Sequence, residues 1–151
     1  MSTARPIRPA QLDSPFAPKD QEAVRHLEQL PVLDLLRACR KLSNLWGLNP
    51  DAMASLLGTS RSTWFRWIEA AEASREPLWT ADQRARALTL LRIFEAAGDL
   101  HQEEQDLLAW PHEPLQAPGF EGQTPLCVMQ SSFEGLLRVR DYLNFLLNVW
   151  S

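Results

Sequence analysis

The chain has 151 residues, 45% of them hydrophobic and 23% charged, with a formal net charge of −4. That balance is globular, large enough for a substantial buried core and small enough for one or two compact units. No apolar run approaches the ~20 residues of a membrane span, and the Pro-rich first 18 residues lack the apolar stretch of a secretory signal, so the expected location is the cytoplasm. Charge is unevenly spread. Residues 1–76 carry 10 Lys/Arg against 9 Asp/Glu, and residues 77–151 carry 5 against 10. A near-neutral half joined to an acidic half suggests two surfaces with different partners.

Pro6, Pro9, Pro15 and Pro18 block helix continuation and predict a flexible arm over 1–18. A short helix over 20–30 is ended by Pro31. Val32, Leu35, Leu36, Cys39, Leu42, Leu45 and Trp46 then share one helical face, with Arg37, Arg40 and Lys41 off it and Gly47 as the stop. Asn49-Pro50 pairs a good N-cap with a residue suited to the first helical position, which predicts a helix over 50–57 ending at Gly58. Ser60 caps a helix over about 61–73. Thr80 and Gln83 fit a capping box opening a helix with Ala87, Leu90, Leu91, Phe94 and Ala97 on one face and Gly98 as its C-cap. An acidic helix over 101–109 ends at Trp110-Pro111, and residues 111–124, with three prolines and two glycines, read as a loop. Thr124-Pro125 starts a short helix, and Ser131 with Glu134 reads as the capping box of a last long helix. No strand pattern and no repeat occurs, so the expected class is all-α. Cys39 and Cys127 both fall in apolar helical patterns, which predicts buried free thiols.

The segment 50–69 has the spacing of a helix-turn-helix. Ala54 lies four residues before Gly58, a small residue where a second helix would pack, and the glycine can take the positive φ of the turn. Trp64 and Trp67, six and nine residues after Gly58, would turn back onto the first helix. Ser60, Arg61, Ser62, Thr63, Phe65 and Arg66 are then the candidate DNA-binding residues. Hydroxyls and amides at a helix start bind phosphates, arginine pairs with the guanine edge, and an aromatic can meet the thymine methyl. A single module of this size binds weakly, so a homodimer on a palindromic site is expected. Arg5 and Arg8 keep open an arm that touches DNA as well.

Two runs resemble a known family. Trp110, Pro111, Phe120, Gly122, Thr124, Pro125, Leu126, Gly135, Val139, Tyr142 and Leu143 match the toxin-binding domain of Xre/MbcA/ParS-type antitoxins. The upstream Ser60-Arg61-Ser62-Thr63-Trp64-Phe65-Arg66-Trp67 is similar to that family's Ser-Arg-Ser-Thr-aliphatic-Tyr-Arg-Trp run, with Trp64 and Phe65 departing from it. The resemblance spans about residues 30–147. It implies a helix-turn-helix bundle followed by a small helical toxin-binding domain, divided as arm 1–18, DNA-binding unit 19–77, connecting helix 78–100 and toxin-binding unit 101–151. It also implies a partner, a RES-domain toxin that consumes or transfers from NAD. The antitoxin would cover the toxin's active site and the complex would repress its own operon. NAD would belong to the toxin, leaving this chain without a cofactor.

The last helix supports a partner surface independently. Leu136, Val139, Leu143, Leu146, Leu147 and Trp150 form one apolar stripe, and Tyr142, Phe145 and Val149 form a second beside it. Together they span about 200°, wider than the ~100° stripe of an ordinary surface helix. Either this chain buries both stripes, or a sister subunit or toxin covers the second. Arg138, Tyr142, Phe145, Val149, Trp150 and Ser151 are the candidate toxin-binding residues, the last two because C-terminal residues of similar antitoxins plug a partner's cleft. Nothing in the sequence points to catalysis. His26, His101 and His112 have no metal-ligand spacing, His112 reads as a surface residue, Glu103, Glu104 and Asp106 read as a solvated face, and there is no phosphate-binding glycine loop. The expectation is a non-enzyme without a metal. The rival expectations are a stand-alone dimeric regulator whose C-terminal unit only dimerises, and an adapter that has lost DNA binding.

Overall fold

The computed structural model describes residues 26–150, with Trp150 by its backbone alone. The expected arm over 1–18, Arg5, Arg8, the start of the 20–30 helix, the Trp150 side chain and Ser151 lie outside the described residues. Among the described residues there are seven α-helices and no strand, as expected for an all-α chain. They are α1 (Val32–Leu45), α2 (Pro50–Leu56), α3 (Arg61–Glu72), α4 (Ala81–Leu100), α5 (Glu104–Ala109), α6 (Pro125–Ser131) and α7 (Phe133–Trp150), with a 3-10 turn at Trp110–His112 after α5.

Local chemistry sets most of the helix starts. The Asn49 side chain accepts from the Ala52 amide at 2.8 Å, and Thr124 Oγ1 accepts from the Cys127 amide at 3.0 Å. Thr80 and Gln83 form both halves of the capping box, at 3.0 and 2.9 Å. Each such cap is worth on the order of 1 kcal/mol.

Three expected helix ends move. Gly98 is not a C-cap. It lies buried inside α4, which runs on to Leu100 and ends at His101, whose backbone amide and ring nitrogen both bond the Ala97 carbonyl. Leu107 of α5 packs beside Gly98, at a distance that would leave ordinary contact even for a Cβ. The acidic helix starts at Glu104 rather than 101, and its end tightens into the 3-10 turn through Pro111 instead of stopping. The cap of α7 is Ser132, not Ser131. Ser131 is still helical and its hydroxyl donates to the Val128 carbonyl. Ser132 is extended and accepts from the Gly135 amide at 3.1 Å. Position N3 is therefore Gly135, which has no side chain to return the bond, and Glu134 takes no part in a box.

One hydrophobic core cluster runs through the described residues, from Leu35 on α1 to Leu143 on α7. Helix α4 is its common wall and packs against α1, α2, α5 and α7. Ala87, Leu90, Leu91, Ile93, Phe94, Ala96 and Ala97 of α4 are all buried, a wider face than the single stripe read from sequence. The first described residues are strapped onto α4 as well. Leu27 is buried, Arg84 donates to the Glu28 and Leu30 carbonyls, and Arg92 pairs with Glu28 at 2.8 Å.

Helices α6 and α7 meet at a corner with no room for a side chain. A Cβ at Gly135 would run into the Val128 carbonyl oxygen, a backbone atom that cannot swing aside. Gly135→Ala is therefore expected to lower the urea-unfolding free energy by about 2 kcal/mol or more, the range for overpacking a tight core. An unchanged midpoint would show that the corner can open.

Glu95, one turn beyond Arg92 on α4, carries a buried carboxylate oxygen without a hydrogen-bond partner. Burial pushes its carboxyl up to about 8, with Asp99 adding to the rise and Arg92 opposing it. A folded-state value above the ordinary 4.5 means the fold prefers the protonated acid. The resulting stability is complete below that ordinary value and is lost as pH rises through about 8. Glu95→Gln keeps the shape without the charge. Its melting temperature should exceed that of the parent at pH 9, by about 2–4 °C for each kcal/mol relieved in a chain of this size, and match it at pH 4. Equal melting curves at both pH values would contradict this.

Candidate nucleic-acid and toxin interfaces

The helix-turn-helix is built from α2 and α3. Ala52, Met53, Ala54, Leu56 and Leu57 face inward from α2 and its end, and Trp64 and Trp67 face inward from α3, as their spacing predicts. Trp67 also packs against Trp79 at a ring distance of 5.3 Å. Gly58 takes a φ of 66°, which a side-chain-bearing residue adopts only with strain. A Cβ there would also press on the Arg86 side chain, which lies across the turn and stacks on Phe133 at the start of α7.

The outward set is as expected. Ser60, Arg61, Ser62, Phe65 and Arg66 are exposed and Thr63 is half-buried. They fall into two groups. Ser60 caps α3 by accepting from the Thr63 amide, and its hydroxyl also meets those of Ser62 and Thr63 at 3.3 and 3.0 Å. Arg66 joins this group by donating to Thr63 Oγ1 at 2.8 Å. Arg61 belongs to the second group, 3.7 Å from Asp51 on α2 and 5.6 Å from the centre of the Phe65 ring. Asp51 was not singled out by sequence, because only the helix-turn-helix geometry brings the start of α2 beside the start of α3.

The second candidate surface lies on α7. Leu136, Val139 and Leu143 are buried, and Leu146 and Leu147 are half-buried. Phe145 and Val149 are 62% and 63% exposed. Tyr142 is half-buried, its ring packed 5.1 Å from the fully buried Phe120 of the preceding loop. The second stripe is thus split, with one residue packed against the chain's own core and two left bare. Arg138 is exposed and reaches the Gly119 carbonyl at 3.5 Å, closing the same loop. The loop itself is ordered by reciprocal backbone bonds, from Leu115 to Gln123 and from Gly122 to Leu115. Leu78, almost fully exposed, was missed in the sequence. It follows Pro77 in an extended link whose next residue, Trp79, turns inward.

The remaining candidates resolve simply. Cys39 is buried, and burial pushes its thiol up to about 12, so it is inert at neutral pH. Cys127 is exposed rather than buried, because the first turn of α6 presents it to solvent. His112 is exposed, yet its Nε2 donates to the Trp46 carbonyl at 2.6 Å and has a structural task. Among the described residues no group of three or more His, Cys, Asp or Glu could hold a metal ion, and no helix is long and apolar enough to cross a membrane.

Two family models match in the order the residues imply. The antitoxin Xre-like helix-turn-helix domain matches residues 35–92, and the antitoxin Xre/MbcA/ParS C-terminal toxin-binding domain matches residues 96–146. The chain belongs to the Xre/MbcA/ParS antitoxin family. No individually curated protein matches it significantly. The exposed residues of α3 lie inside the first match and those of α7 up to Phe145 inside the second, so both surfaces of this antitoxin sit where the family places a DNA-binding and a toxin-binding domain.

The split of the second stripe gives a stability test. Phe145→Asp and Val149→Asp alter exposed positions and should leave the melting temperature within about 1–2 °C, as surface substitutions do. Tyr142→Asp removes the ring packed on Phe120 and buries a charge beside it, and should lower stability by more than 2 kcal/mol, about the cost of losing a large packed side chain. Equal losses for all three would mean that the face is covered in the free protein.

Proposed function

We propose that this antitoxin neutralises a RES-domain, NAD-consuming toxin by covering its active site, and that the complex represses its own operon through the helix-turn-helix. The pair of bare apolar side chains on α7, Phe145 and Val149, carries the first part. Exposed apolar patches mark contact surfaces, and this one extends from a domain whose family binds toxins. Arg138, Tyr142, Phe145, Val149, Trp150 and Ser151 form the toxin-contacting set, with Tyr142 anchoring the helix and Phe145 and Val149 entering the partner. The chain acts by binding, and the NAD chemistry resides in the toxin.

Ser60, Arg61, Ser62, Thr63, Phe65 and Arg66 form the DNA-contacting set. Their exposure on a helix start rich in hydroxyls and guanidinium groups supports this assignment. One such surface makes few contacts, so operator binding calls for a homodimer with its two recognition helices one duplex turn apart.

Co-expression with the toxin encoded beside it tests both parts. The parent chain should restore growth, and the Phe145→Asp/Val149→Asp double variant should not, although it folds. In a gel shift with promoter DNA, Arg61→Ala and Arg66→Ala should each weaken binding by roughly tenfold. Full rescue by the double variant would remove α7 from the toxin contact and favour a stand-alone regulator. Unchanged gel shifts would remove α3 from the DNA contact.

A further inference from the structure

The two exposed arginines of α3 sit in different chemical surroundings. Arg66 is held by a hydroxyl, Thr63 Oγ1 at 2.8 Å, beside Ser60 and Ser62 and the amides at the helix start. Hydroxyls, amides and arginine together are the donors that grip a phosphate. Arg61, one residue past the cap, is placed differently. It lies between an aromatic ring, Phe65 at 5.6 Å, and a carboxylate, Asp51 at 3.7 Å. A carboxylate repels a phosphate, so the Asp51 side of Arg61 is unsuited to the DNA backbone. It suits a guanidinium aimed at base edges and kept in one orientation. Phe65 meanwhile is 48% exposed, an aromatic left in water next to that guanidinium.

We propose that Arg61 and Phe65 act as one reading unit for two neighbouring base pairs, a guanine and a thymine, that Asp51 positions the unit, and that Arg66 holds the backbone instead. The proposal rests on the DNA-binding role assigned above and deepens it. In the major groove, guanine offers N7 and O6 to a bidentate arginine lying in the plane of its pair, and thymine offers the one methyl group an apolar ring can meet. Successive pairs are about 3.4 Å apart along a strand. The 5.6 Å between guanidinium carbon and ring centre combines about one such step with a sideways offset. That separation is compatible with Phe65 meeting the adjoining pair when Arg61 lies level with a guanine. The cation–π contact and the ion pair with Asp51, both at the exposed surface, bias Arg61 toward one orientation.

The test uses the full chain and two atom-sized probes. A duplex is first selected from a randomised pool, and the selected site should contain guanine beside thymine. It is then synthesised with deoxyuridine for that thymine, which removes only the methyl, or with 7-deazaguanine for that guanine, which removes only the N7 acceptor. The parent should lose about three- to tenfold in affinity with either probe, the lower end of what a good base contact gives. Phe65→Ala should ignore deoxyuridine and still feel 7-deazaguanine. Arg61→Ala should ignore 7-deazaguanine. Arg66→Ala should weaken all duplexes alike and reduce the salt dependence by about one phosphate contact. These positions are exposed, and unchanged melting curves will confirm that the variants fold. A selected site lacking the adjoining pair, a parent indifferent to deoxyuridine, or discrimination lost in Arg66→Ala rather than Arg61→Ala would overturn the proposal. Selection of no sequence by a parent that still binds duplex DNA would overturn this proposal alone, and no binding to any duplex would overturn DNA binding by α3 as well.

Discussion

The Trp46 side chain joins the helix-turn-helix half of the molecule to the rest. It stands at the end of α1, buried to 1% exposure, with its ring edge-on to Phe94 of α4 at 5.2 Å. Its indole N–H donates to the Leu107 carbonyl of α5 at 3.1 Å, and its own carbonyl accepts from His112. A buried donor or acceptor without a partner costs about 1–3 kcal/mol, so neither half can shift away without breaking these bonds. Trp46 therefore fixes α1 against the 104–112 region, and α4 fills the space between them with a core shared by both.

Arg86 makes a second junction, polar where Trp46 is apolar. Its guanidinium stacks on Phe133 at 5.3 Å, pairs with Asp82 at 2.8 Å and lies across the turn at Gly58. Gly58 is thus constrained twice, by its positive φ and by the arginine that occupies the place of a side chain. Arg86 touches both the turn before α3 and the first residue of α7, so it links the frame of the one helix to that of the other.

The two surfaces carried by that frame are built on opposite principles. On α3 the exposed groups are pre-paired with one another, hydroxyl to hydroxyl, guanidinium to ring and carboxylate, which holds polar side chains ready for a charged ligand. On α7 the exposed apolar groups are Phe145 and Val149, set among exposed polar residues and one turn or more beyond the half-buried Tyr142. An ordered polar array suits the polyanion proposed for α3, and bare hydrocarbon suits the protein face proposed for α7, since its burial drives association.

Periodicity and caps made most of the fold legible. Asn49, Ser60, Thr80 and Thr124 act within their own turns, so their bonds follow from neighbouring residues alone. The same holds for the face of α3, because Trp64 and Trp67 settle which side turns inward. Positions whose role depends on residues distant in sequence were not legible. Gly98 looks like a helix stop until Leu107 is seen packed beside it, Ser131 and Ser132 exchange roles because of the corner at Gly135 and Val128, and Asp51 meets Arg61 only across the turn. The sequence by itself determined the helices, their inward faces and the surplus of apolar surface on α7, since these depend on spacing within one element. Only the tertiary structure decided that Phe120 packs against Tyr142 while Phe145 and Val149 stay bare, because which surplus surface finds a neighbour depends on where a loop more than twenty residues upstream comes to rest.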